Sequence, residues 1–136
     1  MKKITALWTY IETRPEFRGM GYAKGLAKRA EQISLENGAC IMIGYITKPD
    51  KTSFFDKLGH VVVNKDINKG KCIKHISGNV EFSIPQEIKE IIEEINEPTD
   101  ERMFPDGIGK TGKYYKITWY SNDKLVGFTK LKILEG

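Results

Sequence analysis

The spacing of apolar residues divides the first part of the chain into alternating strand-like and helix-like segments. Residues 3–12 are rich in β-branched and aromatic residues and predict a strand. Over residues 22–37 apolar side chains recur with the helical period, and Asn37-Gly38 is a typical helix end. The uninterrupted apolar run at 39–46 predicts a strand buried on both faces. A short helix and two further strands are predicted at 53–59, 60–64 and 71–77. This order is typical of an α/β protein.

The second part of the chain has a different pattern. Residues 80–83 predict a short strand, and residues 83–86 supply a capping serine, a first-turn proline and a capping-box glutamine. We therefore expect an amphipathic helix there, with an apolar stripe formed by Ile84, Ile88, Ile91, Ile92 and Ile95. A loop and two strands follow, at 98–113, 114–121 and 124–134. Asn122-Asp123 between the two strands predicts a hairpin turn.

Composition narrows the class of protein. A chain of 136 residues with 40% hydrophobic and 29% charged residues predicts one soluble globular domain, spanning 1–136. The first ten residues hold two lysines but no long apolar run, so we expect no signal peptide, no membrane partner and a cytoplasmic location. Cys40 and Cys72 have no metal-like spacing, and only two histidines accompany them, so reduced thiols and no metal site are expected. The net charge of +4 is spread along the chain, and nucleic acid is not expected as a partner.

The residues that indicate a ligand-binding site are concentrated in the segment TRPEFRGMGYAKGLAKRA, residues 13–30. Gly19 and Gly21 allow a ligand to approach the backbone closely, just before a helix predicted to begin near Tyr22. The first turn of a helix has unpaired N–H groups and a positive dipole end, which together suit an anion such as a pyrophosphate. A second glycine-rich stretch, GIGKTG, does not fit the nucleotide-binding P-loop, because Phe104 stands where the first glycine is required and a strand follows.

With its flanks, this segment resembles the acyl-CoA-binding motif of the GNAT family of N-acyltransferases. The family pattern R/Q-x-x-G-x-G/A is met by Arg18, Gly21 and Ala23, and Pro15 stands at its usual place before it. Further on, SFFDKLGH resembles the family's F-Y-E-K-x-G-F segment. The two motifs lie at a spacing that is similar to the family's and cover residues 4–64.

The resemblance implies a mixed central sheet flanked by helices, and acetyl-CoA as the co-substrate. It implies that backbone amides of the turn, including those of Gly19, Met20 and Tyr22, hold the pyrophosphate, while Arg18 adds charge-assisted contacts. It also implies that the strand around Ile11 and Thr13 is splayed from its neighbour and pairs with pantetheine. Lys48 and Lys51 are candidates to contact the CoA 3′-phosphate, and plain surface lysines are the alternative.

The order of the elements differs from that of the family. There, the strand before the turn is the fourth, preceded by a strand, two helices and a hairpin, whereas similar elements stand at the end of this chain. We therefore expect a circularly permuted GNAT-like domain, with an acyl-CoA-binding half at 1–78 and the family's N-terminal elements at 79–136. One version has the C-terminal hairpin pairing with a neighbouring chain in a homodimer. The rival is a truncated domain with an unrelated tail, which would leave the fourth strand as a bare sheet edge.

The sequence also departs from the family at the catalytic positions. Phe55 occupies the place of the family's usual tyrosine acid, and Lys48 falls near its asparagine. Candidate proton donors are Ser53, Tyr45 and His60. Glu12 is the candidate base, with Tyr10 near the same place, although a solvated glutamate and a packed aromatic are the simpler interpretations. Losing a general acid typically lowers a rate by about 10²–10⁴, so the substitution favours a slower or differently assisted enzyme over an inactive one.

The sequence feature that indicates where an acceptor would bind is a set of negatively charged residues. The segment expected to line the acceptor groove carries seven acidic residues, namely Glu87, Glu90, Glu93, Glu94, Glu97, Asp100 and Glu101. An acidic groove would attract an amine-bearing acceptor, either a small molecule or a protein lysine, although helices also present acids to water. The sequence therefore predicts an acetyl-CoA-dependent N-acetyltransferase. A GNAT-like CoA-binding or protein-interaction module is the alternative, and an α/β protein that uses the turn for another phosphate ligand is a third interpretation.

Overall fold

The described residues form one mixed β-sheet with two α-helices packed on it. A computed structural model describes residues 4–46, 52–63, 70–76, 78, 80–95 and 112–134. In chain order the elements are β1 (Ile4–Thr13), α1 (Tyr22–Glu36), β2 (Ala39–Ile46), α2 (Thr52–Lys57), β3 (Val61–Val63), β4 (Gly70–His75), β5 (Lys89–Ile95), β6 (Gly112–Ser121) and β7 (Lys124–Leu134). A short 3₁₀ helix at Pro15–Phe17 lies between β1 and α1. The predicted α/β class is confirmed.

The sheet has seven strands in the order β3-β4-β2-β1-β7-β6-β5. Strands β1 and β2 pair in parallel, joined by α1, while the other described pairs are antiparallel. The first strand of the chain is therefore central, and β7, the last described strand, pairs with it along most of its length. In this structure the C-terminal hairpin covers the edge of β1 within one chain.

Both helices pack on the same face of the sheet. Buried residues of α1, including Leu26, Ala27 and Ala30, lie against alternate residues of the strands. The buried strand residues of this core are Ala6, Trp8, Met42, Ile117, Trp119, Leu131 and Ile133. Residues of α2 and the segment after it join the same core through Phe54, Phe55 and Leu58. The period-2 alternation of the strands thus meets the apolar stripe of an amphipathic helix, and the contact between them excludes water from this face of the sheet.

The ends of the predicted elements have the backbone conformations that their sequences require. Asn122 and Asp123 both have positive φ, 49° and 64°, so the β6–β7 hairpin closes with two left-handed residues as the sequence predicts. Gly38 has φ 83° directly after α1, and its N–H donates to Leu35 O at 2.9 Å. The predicted strands at 60–64 and 71–77 correspond to β3 and β4, although Asn64 lies outside the described residues.

The helix predicted to start at Ser83 is wrong. Residues 80–88 form irregular chain with a turn, in which the N–H of Ile88 donates to Pro85 O at 2.9 Å, and the residues that follow form β5. The short strand predicted at 80–83 is also absent from this part of the structure. Isoleucine favours strands, and pairing of β5 with β6 along its whole length outweighs the local capping signals. Ile91 and Ile92, placed on one helical stripe by the prediction, point to opposite faces of the sheet.

Candidate functional site

Strands β1 and β2 run side by side over only half of their length. Their parallel register begins with Ile4 opposite Ala39 and ends with Trp8 opposite Gly44. Beyond Trp8, residues 9–13 of β1 have no partner in β2, while most of them still pair with β7 on the other side. The two strands are therefore splayed at their carboxyl ends, and one backbone edge of β1 pairs with no described strand. Open α/β sheets characteristically bind ligands at such a position.

A β-bulge lies where the splay begins. In the β1–β7 register Trp8 is opposite Leu131 and Tyr10 is opposite Lys130, so Thr9 is an extra residue. The bulge shifts the alternation of side chains along β1. Trp8 faces the helices, as does Ile11, which packs against the core, whereas Tyr10 is directed to the opposite face and is 48% exposed.

Two hydrogen-bond chains hold the bulge in place. On the helix side, Trp8 Nε1 donates to Thr129 Oγ1 at 2.6 Å, and Thr129 Oγ1 donates to Tyr10 O at 2.7 Å. On the other face, the hydroxyl of Tyr114 donates to Thr9 Oγ1 at 2.6 Å. Because Thr129 is fully buried, its two hydrogen bonds lie largely away from water and fix the backbone around Tyr10.

The free end of β1 is also held by a close approach to β7. Gly127 lies opposite Thr13, and a Cβ atom at Gly127 would collide with the backbone oxygen of Glu12 and lie 3.1 Å from Thr13 Cα. Only glycine fits there, because the two backbones pack together without room for a side chain. Among the described strands, β7 is the one that pairs with residues 10–13.

The predicted glycine turn follows directly. Gly19 and Gly21 have φ of 80° and 83°, in the left-handed region, and nothing lies within 4 Å of a Cβ atom built at either residue. Gly21 caps α1, and the N–H of Gly25 makes the first helical bond back to Gly21 O at 3.1 Å. The amides of the first turn of α1 therefore precede the first helical hydrogen bond and border open space. This is the geometry of an anion site at a helix N-terminus.

Charged and polar side chains flank this turn. Arg18 is exposed, and its Nε donates to Thr13 O at 3.2 Å, which ties the turn to the end of β1. Met20 is 63% exposed, while Ala23 is half-buried. The Tyr22 hydroxyl donates to Glu87 Oε1 at 2.9 Å, and this bond to a carboxylate raises the pKa of Tyr22.

Phe55 lies at the closed end of the gap, among aromatic rings. Its ring is 5.3 Å from that of Trp8 and 6.0 Å from that of His60, both in edge-to-face geometry. It also packs against Cys72, a buried residue of β4. The closed end of the gap is thus apolar, and Phe55 brings no proton donor there.

His60 and Cys72 are present near this end as neutral groups. His60 is buried, and neither ring nitrogen has a hydrogen-bond partner among the described residues. Burial and the positive charge of Lys74 lower the pKa of His60 to about 4, so it is neutral at pH 7. Burial raises the pKa of Cys72 to about 11, so it remains a thiol. Neither group is poised for acid–base or nucleophilic work.

The predicted site residues are partly brought together. Residues 10–13 line the free end of β1, the turn at 18–23 begins where that strand ends, and Phe55 lies at the other end of the gap. Ser53 belongs to α2, but its side chain lies outside the described part, and Lys48 lies outside the described residues altogether. Sequence analysis missed the bulge at Thr9 and its anchor Thr129. A glycine within the strand pattern, at Gly127, was an available signal of close backbone approach.

Four of the seven acidic residues expected to line an acceptor groove lie in the described chain, on the irregular segment or on β5 instead of on a helix, while Glu97, Asp100 and Glu101 lie outside the described residues. Glu90 faces α1, where its carboxylate accepts hydrogen bonds from Arg29 Nε at 2.9 Å and from Trp119 Nε1 at 2.7 Å. Glu87 accepts the bond from Tyr22. These two carboxylates therefore join the irregular segment and β5 to α1 and to β6.

Comparison with known proteins does not supply a family. No family model matches the chain, and no curated protein or solved structure matches it.

Within the described part of the chain, no group of three or more His, Cys, Asp or Glu side chains is arranged to hold a metal ion. Neither described helix has the length and apolar character needed to cross a membrane.

Proposed function

We propose that the protein is an acyl-CoA-dependent N-acyltransferase that uses acetyl-CoA. The observation that carries the proposal is the continuity of the free edge of β1 with the glycine turn at the start of α1. An extended strand edge offers amide and carbonyl groups at regular spacing, and the turn offers an anion site at its end. A ligand with an amide-containing arm and a pyrophosphate, as in CoA, matches both parts.

In this proposal each part of the site has one task. The amides of residues 19–23 and the side chain of Arg18 hold the pyrophosphate. Pantetheine extends along Ile11 and Thr13, towards the bulge at Thr9. Four residue steps along the strand lead from Thr13 to Thr9, roughly 13 Å. The thioester then reaches the region between the bulge and Phe55.

The chemistry is direct transfer to an amine. The neutral amine attacks the thioester carbonyl, a C–N bond forms, the C–S bond breaks and CoA leaves as a thiolate. Backbone amides of β1 next to the bulge stabilise the oxyanion that develops on the carbonyl oxygen. Glu12, directly or through water, takes the proton that the amine loses, and the thiolate takes a proton from water because Phe55 has none to give.

The sheet topology supports a permuted GNAT-like order. The resemblance places a hairpin immediately before the splayed strand in the family, and here the β6–β7 hairpin packs beside β1 from the end of the chain. Strand β5 follows at the edge, where the family's first strand would precede its helices. The segment that would correspond to those two helices lies outside the described residues. Pairing of β7 with β1 also favours this arrangement over a domain with a bare edge and an unrelated tail.

A second candidate is a CoA-binding module without catalysis. Phe55, packed between Trp8 and His60, is the observation that favours it, because the closed end of the gap has no described group able to protonate a leaving thiolate. The turn would then retain CoA, and the protein would act through its contacts with other molecules.

The test is calorimetric titration of the whole chain with acetyl-CoA, followed by an assay for CoA thiol release against a panel of amines. ATP and NAD serve as matched phosphate ligands. We expect binding of acetyl-CoA alone and amine-dependent thiol release. Binding without release would favour the second candidate, and equal binding of ATP would favour a general phosphate site. Absence of acetyl-CoA binding would refute both candidates.

A Phe55→Tyr variant separates the two candidates further. If a missing acid limits an active enzyme, a tyrosine hydroxyl at this position should raise the rate of thiol release, by about tenfold or more. A Phe54→Tyr variant, one position away on α2, is the matched control and should leave the rate unchanged. An unchanged rate in the Phe55→Tyr enzyme would show that proton delivery to the thiolate is not limiting.

A further inference from the structure

A cavity of about 390 Å³ lies between α1, the end of α2, β4 and the irregular segment after β4. Four lysines line it, and they come from three different elements. Lys24 and Lys28 belong to α1, Lys57 is the last residue of α2, and Lys74 belongs to β4. We call this space the lysine cavity. Its volume is in the range of sites that hold small organic ligands.

Three of the four lysines, Lys24, Lys28 and Lys57, have no hydrogen-bond or ion-pair partner among the described residues. Lys24 and Lys28 are four residues apart on α1, so their like charges are neighbours on the helix surface and repel each other. Lys24 also lies in the first turn of α1, where the helix dipole disfavours a cation. A bound anion would therefore stabilise this arrangement.

The carboxylates of the cavity do not neutralise these lysines. Glu31 is buried and is engaged by Lys74, whose Nζ donates to Glu31 Oε1 at 2.7 Å and to Leu58 O at 2.8 Å. His60, 4.0 Å from the same carboxylate, is neutral at pH 7 because its pKa is about 4. The other carboxylate, Glu81, is exposed. Four lysines against two glutamates leave the lysine cavity with a net charge of +2.

We infer that the lysine cavity is a binding site for the phosphate group of a small ligand. A phosphate monoester carries up to two negative charges and accepts hydrogen bonds on three oxygens, which separate ammonium groups can donate. The Lys74 ammonium group makes two described bonds and has a third N–H for a ligand. Leu58 and Val80 add apolar wall, which suits the organic part of a phosphate ester.

Two sources could supply this phosphate. One is a separate phosphorylated molecule. The other is the 3′-phosphate of a CoA bound at the glycine turn, because Lys24 is only three residues beyond Gly21. The inference itself goes beyond the proposed acyl transfer and does not depend on it, since the charge and shape of the cavity are the same whether or not the protein is an enzyme.

The test is an NMR titration of the whole chain with inorganic pyrophosphate. Methyl resonances of Leu58 and Val80 report on the lysine cavity, and the amide resonance of Met20 reports on the glycine turn. We expect the methyl resonances to shift in the wild type. In a Lys28→Gln, Lys57→Gln double variant, the affinity that they report should fall at least about tenfold, while the affinity reported by Met20 should change little.

A matched control removes the same amount of charge elsewhere. Lys89→Gln and Lys124→Gln combined change two exposed lysines outside the cavity. This control should bind pyrophosphate as the wild type does. If it loses as much affinity as the Lys28→Gln, Lys57→Gln variant, net charge and not the cavity attracts the anion, and the inference is wrong.

Titration with CoA and dephospho-CoA distinguishes the two sources. If the cavity holds the 3′-phosphate, CoA should shift the methyl resonances of Leu58 and Val80. CoA should then bind about tenfold more tightly than dephospho-CoA in the wild type but not in the Lys28→Gln, Lys57→Gln variant. If the ligand is a separate molecule, saturating CoA should leave these resonances unchanged, and pyrophosphate should still shift them.

Methyl resonances that respond neither to pyrophosphate nor to CoA would overturn the inference. A response that is equally strong in the Lys28→Gln, Lys57→Gln variant would do the same. Neither result depends on turnover. Acetylation of an amine by a protein with an unresponsive cavity would leave the proposed function intact, and a responsive cavity in a protein that acetylates no amine would leave the inference intact.

Discussion

The two halves of β1 use the same backbone in different ways. Residues 4–8 pair with β2, and most of them also with β7, and their apolar side chains Ala6, Leu7 and Trp8 are buried. Among the described strands, residues 10–13 pair with β7, and no described strand bonds their other edge. Residues 4–8 belong to the interior of the sheet. Residues 10–13 have backbone hydrogen-bond donors and acceptors along one edge that no described strand bonds.

This difference shows how a rigid sheet can hold an open binding edge. An unpaired strand is normally mobile or prone to aggregation. Here the open half of β1 is held from one side by the close contact at Gly127, by the Thr129 hydrogen bonds and by the turn at Arg18. Removing these supports should affect the open half while the paired half remains intact.

The largest effect is expected from Gly127→Ala. The new Cβ would collide with the backbone of Glu12 and Thr13, and backbone atoms cannot move aside as a flexible side chain can. We expect a loss of about 3 kcal/mol or more in the free energy of unfolding, measured by urea denaturation. Lys124→Ala on the same strand is exposed and should change stability by less than about 0.5 kcal/mol. A Gly127→Ala protein as stable as this control would show that β1 and β7 are not in close contact there.

His60, whose ring lies 5.6 Å from that of Trp8 at the end of the paired half, should make stability depend on pH. Its pKa falls to about 4 in the folded protein, whereas an unfolded histidine titrates near 6.5. The unfolded chain therefore binds a proton that the folded one does not. The contribution of His60 to stability should be constant above about pH 6.5 and fall by up to about 3 kcal/mol as the pH is lowered towards 4.

Denaturation midpoints of the wild type and a His60→Gln variant at several pH values would test this. The slope between pH 6.5 and 4 should be smaller in the variant, because its amide does not titrate. His75, an exposed histidine, is the matched control, and His75→Gln should keep the wild-type slope. Equal slopes in the wild type and in His60→Gln would contradict the buried neutral state of His60.

Gly21→Glu should remove ligand binding from the open half and leave the paired half folded. The side chain would enter the open space at the start of α1, and its charge would repel phosphate. We expect acetyl-CoA affinity to fall at least about 100-fold in calorimetry. Gly38→Glu places the same residue at the same φ of 83°, at the other end of α1, and should retain affinity. Equal affinities of the two variants would place the anion site elsewhere.

The smallest effect is expected from Thr129→Val, which removes the acceptor for Trp8 Nε1 and the donor to Tyr10 O. Two buried polar groups lose their partner, and we expect a loss of about 2 kcal/mol in unfolding free energy. The Michaelis constant for acetyl-CoA should rise as the bulge loosens. Thr129→Ser keeps the hydroxyl and should lose only about 1 kcal/mol, for the missing methyl group. If serine and valine behave alike, the hydroxyl does not support the bulge.

Much of the first half of the chain was predictable because its signals are local. The helix period of α1, its end at Asn37-Gly38, the apolar run of β2 and the positive-φ glycines of the turn depend on residues that are neighbours in sequence. The β6–β7 hairpin was predictable for the same reason, since Asn122-Asp123 fixes the turn. Local propensity and local backbone geometry agree at these places, and the structure follows them.

Segment 83–95 was mispredicted because its local signals conflict with its tertiary partner. Its isoleucine spacing fits a helix, but β-branched residues also favour strands, and β6 offers a complete pairing edge. The bulge at Thr9 was not predictable from β1 alone, since its anchor Thr129 is about 120 residues away in sequence. The same holds for the lysine cavity, whose four lysines lie on α1, α2 and β4.

The sequence by itself determined the α/β class, the helix with its glycine turn and the hairpin, because these depend on interactions between near neighbours in the chain. The tertiary structure decided the rest: where β1 and β2 part, which face Tyr10 and Glu12 occupy, and that residues 89–95 are a strand. Each of these follows from backbone pairing between distant segments. A shift of one residue in such pairing moves every side chain beyond it to the other face of the sheet.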